Sequence, residues 1–100
     1  MRKFSNLQKA VRFLATAVEN GDRAGLARAC REILPEEWVL ERLRDLNAET
    51  PLVQLYAGRK FPADGRDLKL GGHGSELGHI HIDFVRTDRG WEIHRIWMCR

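Results

Sequence analysis

The most constraining stretch of this chain is its end, GHIHIDFVRTDRGWEIHRIWMCR, where apolar and polar residues alternate on either side of Asp88-Arg89-Gly90. Alternation over that length marks strands with one buried face, and a short glycine-containing loop between two such runs marks a hairpin. With Asp88, Arg89 and Gly90 as the loop, Thr87 faces Trp91, Ile82 faces Ile96, Ile80 faces Met98, Asp83 faces Arg95 and Arg86 faces Glu92. That register sets apolar against apolar and adds two opposite-charge pairs, each worth roughly 0.2–1 kcal/mol. A shift by one residue would set Ile82 against Arg95 and Val85 against Glu92, so it is disfavoured unless a bulge breaks the ladder.

The hairpin then has two unequal faces. Ile80, Ile82, Phe84, Ile96 and Met98 form an apolar row suited to cover helices, and His94 falls on the same side beside Phe84. The other row carries His79, His81, Asp83, Val85, Trp91, Ile93, Arg95, Trp97 and Cys99. Val85, Trp91, Ile93 and Trp97 make that second row more apolar than a solvated sheet face usually is, so it is expected to need a cover.

Upstream the period is helical. Phe4, Leu7, Val11, Leu14 and Val18 recur at steps of three and four, with Ser5 and Gln8 as a capping box and Asn20-Gly21 as the stop. Asp22 caps a second helix whose stripe is Leu26, Ala27, Cys30, Ile33 and Leu34. Pro35 suits the first turn of a third helix, with Val39, Leu43 and Leu46 inward and Thr50-Pro51 at its end. LVQLYAG then reads as a short strand, PADG as a turn, DLKL as a weaker strand and GGHG as a connector. The fold class is α+β: one domain over residues 1–100, with three N-terminal helices packed on a curved antiparallel sheet of about four strands.

The chain has 100 residues with 43% hydrophobic and 31% charged, enough to close a core without a disulfide or metal staple. Its net charge of +3 comes from 17 basic and 14 acidic residues that interleave, as in REILPEEWVLERLRD. No basic stripe with stacking aromatics emerges, so nucleic acid is not an expected partner; that reading would need Arg59, Lys60, Arg66 and Lys69 on one surface. Cys30 and Cys99 form no CxxC motif and fit reduced thiols in a cytoplasmic setting. Gln8, Lys9 and Arg12 interrupt any apolar leader, and no stretch has the length of a membrane span.

The helical opening AVRFLATAVENGDRAGLARACREI and the ending HIDFVRTDRGWEIHRIW resemble the nuclear transport factor 2-like superfamily, which includes ketosteroid isomerases, scytalone dehydratases and polyketide cyclases beside many non-catalytic members. The resemblance covers the first third and the last quarter of the chain. It implies a cone: a curved sheet wrapped around helices, often paired through the sheet. The motifs are structural, so they bear on fold and not on activity.

Acid–base catalysis of the isomerase or lyase type would draw on Asp83, His94 and Tyr56, with His81 nearby. Against it, the register pairs Asp83 with Arg95, a structural role. His79, His81 and Cys99 could approach one another at the hairpin end, but Asp83 lies four residues from His79, roughly 13 Å along a strand, so no metal site is expected. GGHG lacks the lysine and following helix of a phosphate loop, and Ser75 has no histidine–acid partners. No cofactor is implied.

The expected function is a small non-catalytic module that forms a homodimer through Val85, Trp91, Ile93, Arg95 and Trp97. A small apolar ligand would sit between helices and sheet, near Trp38, Tyr56, Phe84 and His94. The alternative is a small isomerase or dehydratase using a carboxylate or histidine in the cone. The two part on whether Asp83, His94 or Tyr56 lines an enclosed pocket of roughly a few hundred cubic ångströms.

Overall fold

A computed structural model describes residues 2–57, 67–71 and 77–98, with 67–71 as backbone. Helices α1 (Leu7–Glu19), α2 (Arg23–Ala29), α3 (Glu37–Glu49) and α4 (Leu52–Ala57) precede strands β1 (Asp67–Gly71), β2 (Ile80–Thr87) and β3 (Gly90–Met98). The strands form an antiparallel sheet in the order β1-β2-β3. The chain is therefore an α+β fold, with α1 at its centre, packed on the other three helices and on β3.

Each helix boundary has a local cause. Asn6, not Ser5, caps α1: its side chain accepts the Lys9 N–H at 2.9 Å, and Phe4 stays outside the helix. Gly21, at φ +65°, turns the chain out of α1, and Asp22 caps α2 by accepting the Gly25 N–H at 3.0 Å. The second helix stops at Ala29, short of the expected stripe. Arg31 N–H donates to the Ile93 carbonyl at 2.9 Å and Glu32 N–H to that of His94 at 3.0 Å, so sheet pairing ends the helix. Cys30 remains buried, Leu34 is buried in the loop, and Ile33 is turned out to 95% exposure.

The segment read as a first strand is α4. Leu52 N–H donates to the Asn47 side chain at 2.9 Å, and Pro51 carbonyl accepts from Gln54 and Leu55. Leu52, Leu55 and Tyr56 are spaced for one helix face and pack inward, a period that outweighs the apparent alternation. Four helices thus stand where three were expected, and the sheet has three strands among the described residues. DLKL is β1, as expected. The PADG turn, most of GGHG, Ser75, Cys99, Arg59, Lys60 and Arg66 lie outside the described residues.

The hairpin register holds in its outer half and slips near the turn. Ile80↔Met98, Ile82↔Ile96 and Asp83↔Arg95 pair as the sequence implies. Between Asp83 and Phe84 the register shifts, so Phe84 faces Ile93, Val85 faces Glu92, Arg86 faces Trp91 and Thr87 faces Gly90. His94 is the extra residue of a β-bulge, and the loop shortens to Asp88-Arg89. Thr87 Oγ1 closes it, donating to the Gly90 carbonyl at 2.9 Å and accepting from Arg89 N–H at 3.2 Å.

The slip reassigns three residues. Ile93 and Trp91 move to the inner row, where Ile93 is fully buried and Trp91 packs against the core. Glu92 moves to the outer row, away from the expected pairing with Arg86. Ile80, Ile82, Phe84 and Ile96 are buried with Leu14, Leu26, Leu43 and Leu52, as an inward apolar row requires. Phe4 adds a bridge along β3, with Phe4 N–H to Trp91 O at 2.7 Å and Trp91 N–H to Phe4 O at 2.8 Å.

Candidate functional site

Two arrangements on this frame carry chemistry that packing alone does not demand. The first is a polar cluster on the outer face of β2 and β3. The ladder sets His81 opposite Trp97 and Asp83 opposite Arg95, with Gly71 and Lys69 of β1 on the other side of β2. Asp83 Oδ2 accepts from Arg95 Nε at 2.8 Å and from Trp97 Nε1 at 3.0 Å. The Trp97 indole in turn stacks on the His81 ring, centroids 4.0 Å apart and planes at 12°, and lies 4.4 Å from the Arg95 guanidinium. Asp83 is only 6% exposed, and its Oδ1 and His81 Nε2 are buried with no hydrogen-bond partner among the described residues. A carboxylate fixed by two donors on one oxygen, with the other unengaged among the described residues, can accept a further hydrogen-bond donor.

The second is an open groove of about 520 Å³ between the loop from α2 to α3 and the end of β3. Ile33, Leu34, Pro35, Glu36, Trp38 and Val39 line one wall, and Ile96, Trp97 and Met98 the other. Trp38 is 53% exposed and held in place by donation from its Nε1 to Glu36 at 2.7 Å. Trp97 joins the two arrangements, since one indole lines the groove and donates to Asp83. A similar volume of about 570 Å³, lined by α1, α3 and the start of α4, is edged by Arg12, Glu19, Arg44 and Asn47 and so is more polar.

A third arrangement holds the fold. The Glu92 carboxylate, 2% exposed, is gripped by Arg31, through Nε at 2.5 Å and Nη2 at 3.0 Å, and by Lys3. The Arg31 hydrogen bonds outweigh burial and, with Lys3, hold the carboxyl down to about 2. Burial pushes the Cys30 thiol above its ordinary value, against the pull of the Glu32 and Ile96 N–H groups. Its Sγ lies 3.6 Å from the His94 carbonyl.

The residues expected to form sites are thus only partly gathered. Asp83, Arg95 and Trp97 come together as the register implied. His94 sits in the bulge rather than on the inner face, half-buried with Nε2 3.6 Å from Glu32. Tyr56 packs on the core from α4, and Phe84 is wholly internal. Neither of the two larger grooves includes Asp83, His94 or Tyr56. Of the ligand residues, Trp38 alone lines the groove. Ile93 and Trp91 leave the outer row for the reason given above, so Val85, Arg95 and Trp97 remain there.

Sequence reasoning missed the Glu92 clamp, the exposed Ile33 and the His81–Trp97 stack. The stack was legible once His81 and Trp97 faced each other; the other two depend on the bulge and on the early end of α2. No group of three metal-binding side chains and no helix able to cross a membrane occurs among the described residues. Compared with known proteins, the chain matches no family model, no curated protein and no solved structure.

Proposed function

We propose that this chain is a small non-catalytic binding module of the nuclear transport factor 2-like kind, which buries an apolar partner in the groove between its α2–α3 loop and the end of β3. The observation that carries this reading is Ile33, 95% exposed on the lip of a groove that also presents Trp38. A large aliphatic side chain left in water costs on the order of 1–3 kcal/mol of burial that a partner recovers on docking. Of the residues expected to meet a small apolar ligand the groove takes in Trp38 alone, and Trp97 is shared with the surface expected to pair. A reducing, cytoplasmic setting belongs to the same reading, since Cys30 is a free thiol.

A neutral apolar fluorescent probe, Nile red, tests it. It should bind the folded chain, and Trp38→Ala should weaken that binding at least about fivefold, while Val53→Ala in the other groove leaves it unchanged. Binding that ignores Trp38, or none, overturns the reading. The isomerase alternative has one observation in its favour, the unengaged Asp83 Oδ1 beside His81. It stands second because Asp83 lines neither larger groove.

A further inference from the structure

On the helical side of the molecule a second groove has a rim that does not match its floor. Helix α1 packs on both α3 and α4, and the open volume of about 570 Å³ lies over that junction. Its floor is apolar and unfilled because α1 and α3 present Ala15 and Ala48 there, side chains too short to close the space between two helices. Pro51 and Val53 extend the floor. Leu52, Leu55 and Tyr56 of α4 turn inward, which leaves Val53 38% exposed. A volume of this size is within the range that small ligands occupy.

The rim is built of donors. Arg12 and Thr16 stand one turn apart on α1, and Arg44 and Asn47 one turn apart on α3. Asn47 already gives its side-chain oxygen to the Leu52 N–H at 2.9 Å, so the N–H groups of its amide are what it offers a ligand. Among the described residues neither arginine has an ion-pair partner: the pairs are Lys3 and Arg31 with Glu92, Arg95 with Asp83, and His94 with Glu32. The one carboxylate among the lining residues, Glu19, is exposed and joins none of these. The two cations differ. Arg44 has Glu41 one turn before it on α3, whereas the positions one turn either side of Arg12 are Gln8, Lys9, Ala15 and Thr16. Arg12 is therefore the guanidinium with the least compensation on its own helix.

We propose that this groove binds a small organic carboxylate with an apolar tail. The carboxylate takes the Arg12 guanidinium, whose planar fork matches it with two parallel hydrogen bonds, and Asn47 and Arg44 supply further donors. The tail lies over Ala15, Ala48 and Val53. A neutral ligand would leave both charges unanswered, and an anion without a tail would leave Val53 and the alanine floor in water. The groove beside Trp38 has the opposite character, since Glu36 is the one charged residue lining it. The proposal does not rest on that groove, and a single anionic ligand distinguishes the two.

Amide-resolved NMR titration of the full chain with octanoate tests the proposal, with 1-octanol (the tail without the charge) and acetate (the charge without the tail) as comparisons. Octanoate should bind with a dissociation constant of about 1 mM, as expected for so few ligand atoms, and should shift the amides of Ala15, Thr16, Asn47 and Ala48. Both 1-octanol and acetate should bind at least about fivefold more weakly. Arg12→Gln, at an exposed helix position, should weaken octanoate at least about fivefold, while Arg42→Gln, outside the groove, leaves it unchanged. Ala48→Leu fills the floor and should weaken octanoate by a similar factor, which decides the matter if the Arg12 variant fails to fold. No binding of octanoate at about 10 mM overturns the proposal, as does 1-octanol bound equally tightly. Octanoate that shifts Ile33 and Trp38 in place of Ala15 and Ala48 overturns it too, and so does an affinity that folded Arg12→Gln leaves intact.

Discussion

Glu92 shows how much one misplaced residue changes the account of a surface. A glutamate near a hairpin turn is ordinarily a solvated charge, yet here it is buried and held by Arg31 and Lys3. Its carboxyl sits at about 2, below an unfolded value near 4.5, so the folded form favours the charged state. The resulting stability is fully present above about pH 4.5 and drains away as pH falls toward 2. Its size is on the order of 2–3 kcal/mol, since solvent around the half-exposed Arg31 screens part of what so low a carboxyl value implies. Glu92→Gln should therefore lower stability at pH 7 by about that amount and flatten the acid limb of a urea-unfolding series between pH 5 and 2. An unchanged acid limb would mean that other carboxylates govern it.

At the scale of elements, what the sequence made legible was whatever a single period decides. The stripe Leu7, Val11, Leu14 and Val18 is buried on α1, the Asp22 cap is in place, and Ile80, Ile82 and Ile96 point inward. What it hid was set by contacts between distant segments. Ile33 continues the period of α2, but the backbone there pairs with β3 instead. The bulge at His94 could be named as a risk without being located, because its position depends on Phe4, Arg31 and Glu32 gripping the far edge of β3. The candidate site suffered accordingly: Asp83–Arg95 lay on the intact side of the bulge and was read correctly, whereas Ile93 and His94 lay on the shifted side. Gly90 gives a prediction at this scale. It has φ +125°, and a Cβ there would come 2.5 Å from the Phe4 carbonyl oxygen. Gly90→Ala should cost about 2 kcal/mol or more and detach the N-terminal arm, read as faster amide exchange at Phe4 and Trp91. Exchange unaltered at both would show that the arm does not depend on the turn.

Across the whole molecule, β3 is the strand on which everything else registers: β2 on one edge, the arm at Phe4 and the Cys30–Glu32 segment on the other, and α1 across its face. Phe84 lies beneath it, fully buried opposite Ile93. Phe84→Ala should remove about 3–5 kcal/mol, a large part of the roughly 5–15 kcal/mol available to a domain of this size. Urea unfolding should then show a midpoint shifted strongly downward while remaining a single transition. Two separated transitions would mean that helices and sheet unfold independently.

The arm has a consequence for synthesis. Lys3 meets Glu92 across 89 positions of sequence, and Phe4 meets Trp91. On the ribosome, then, Lys3 and Phe4 must wait unseated until β3 has been made, and the helices that emerge before it assemble without their lasting anchor.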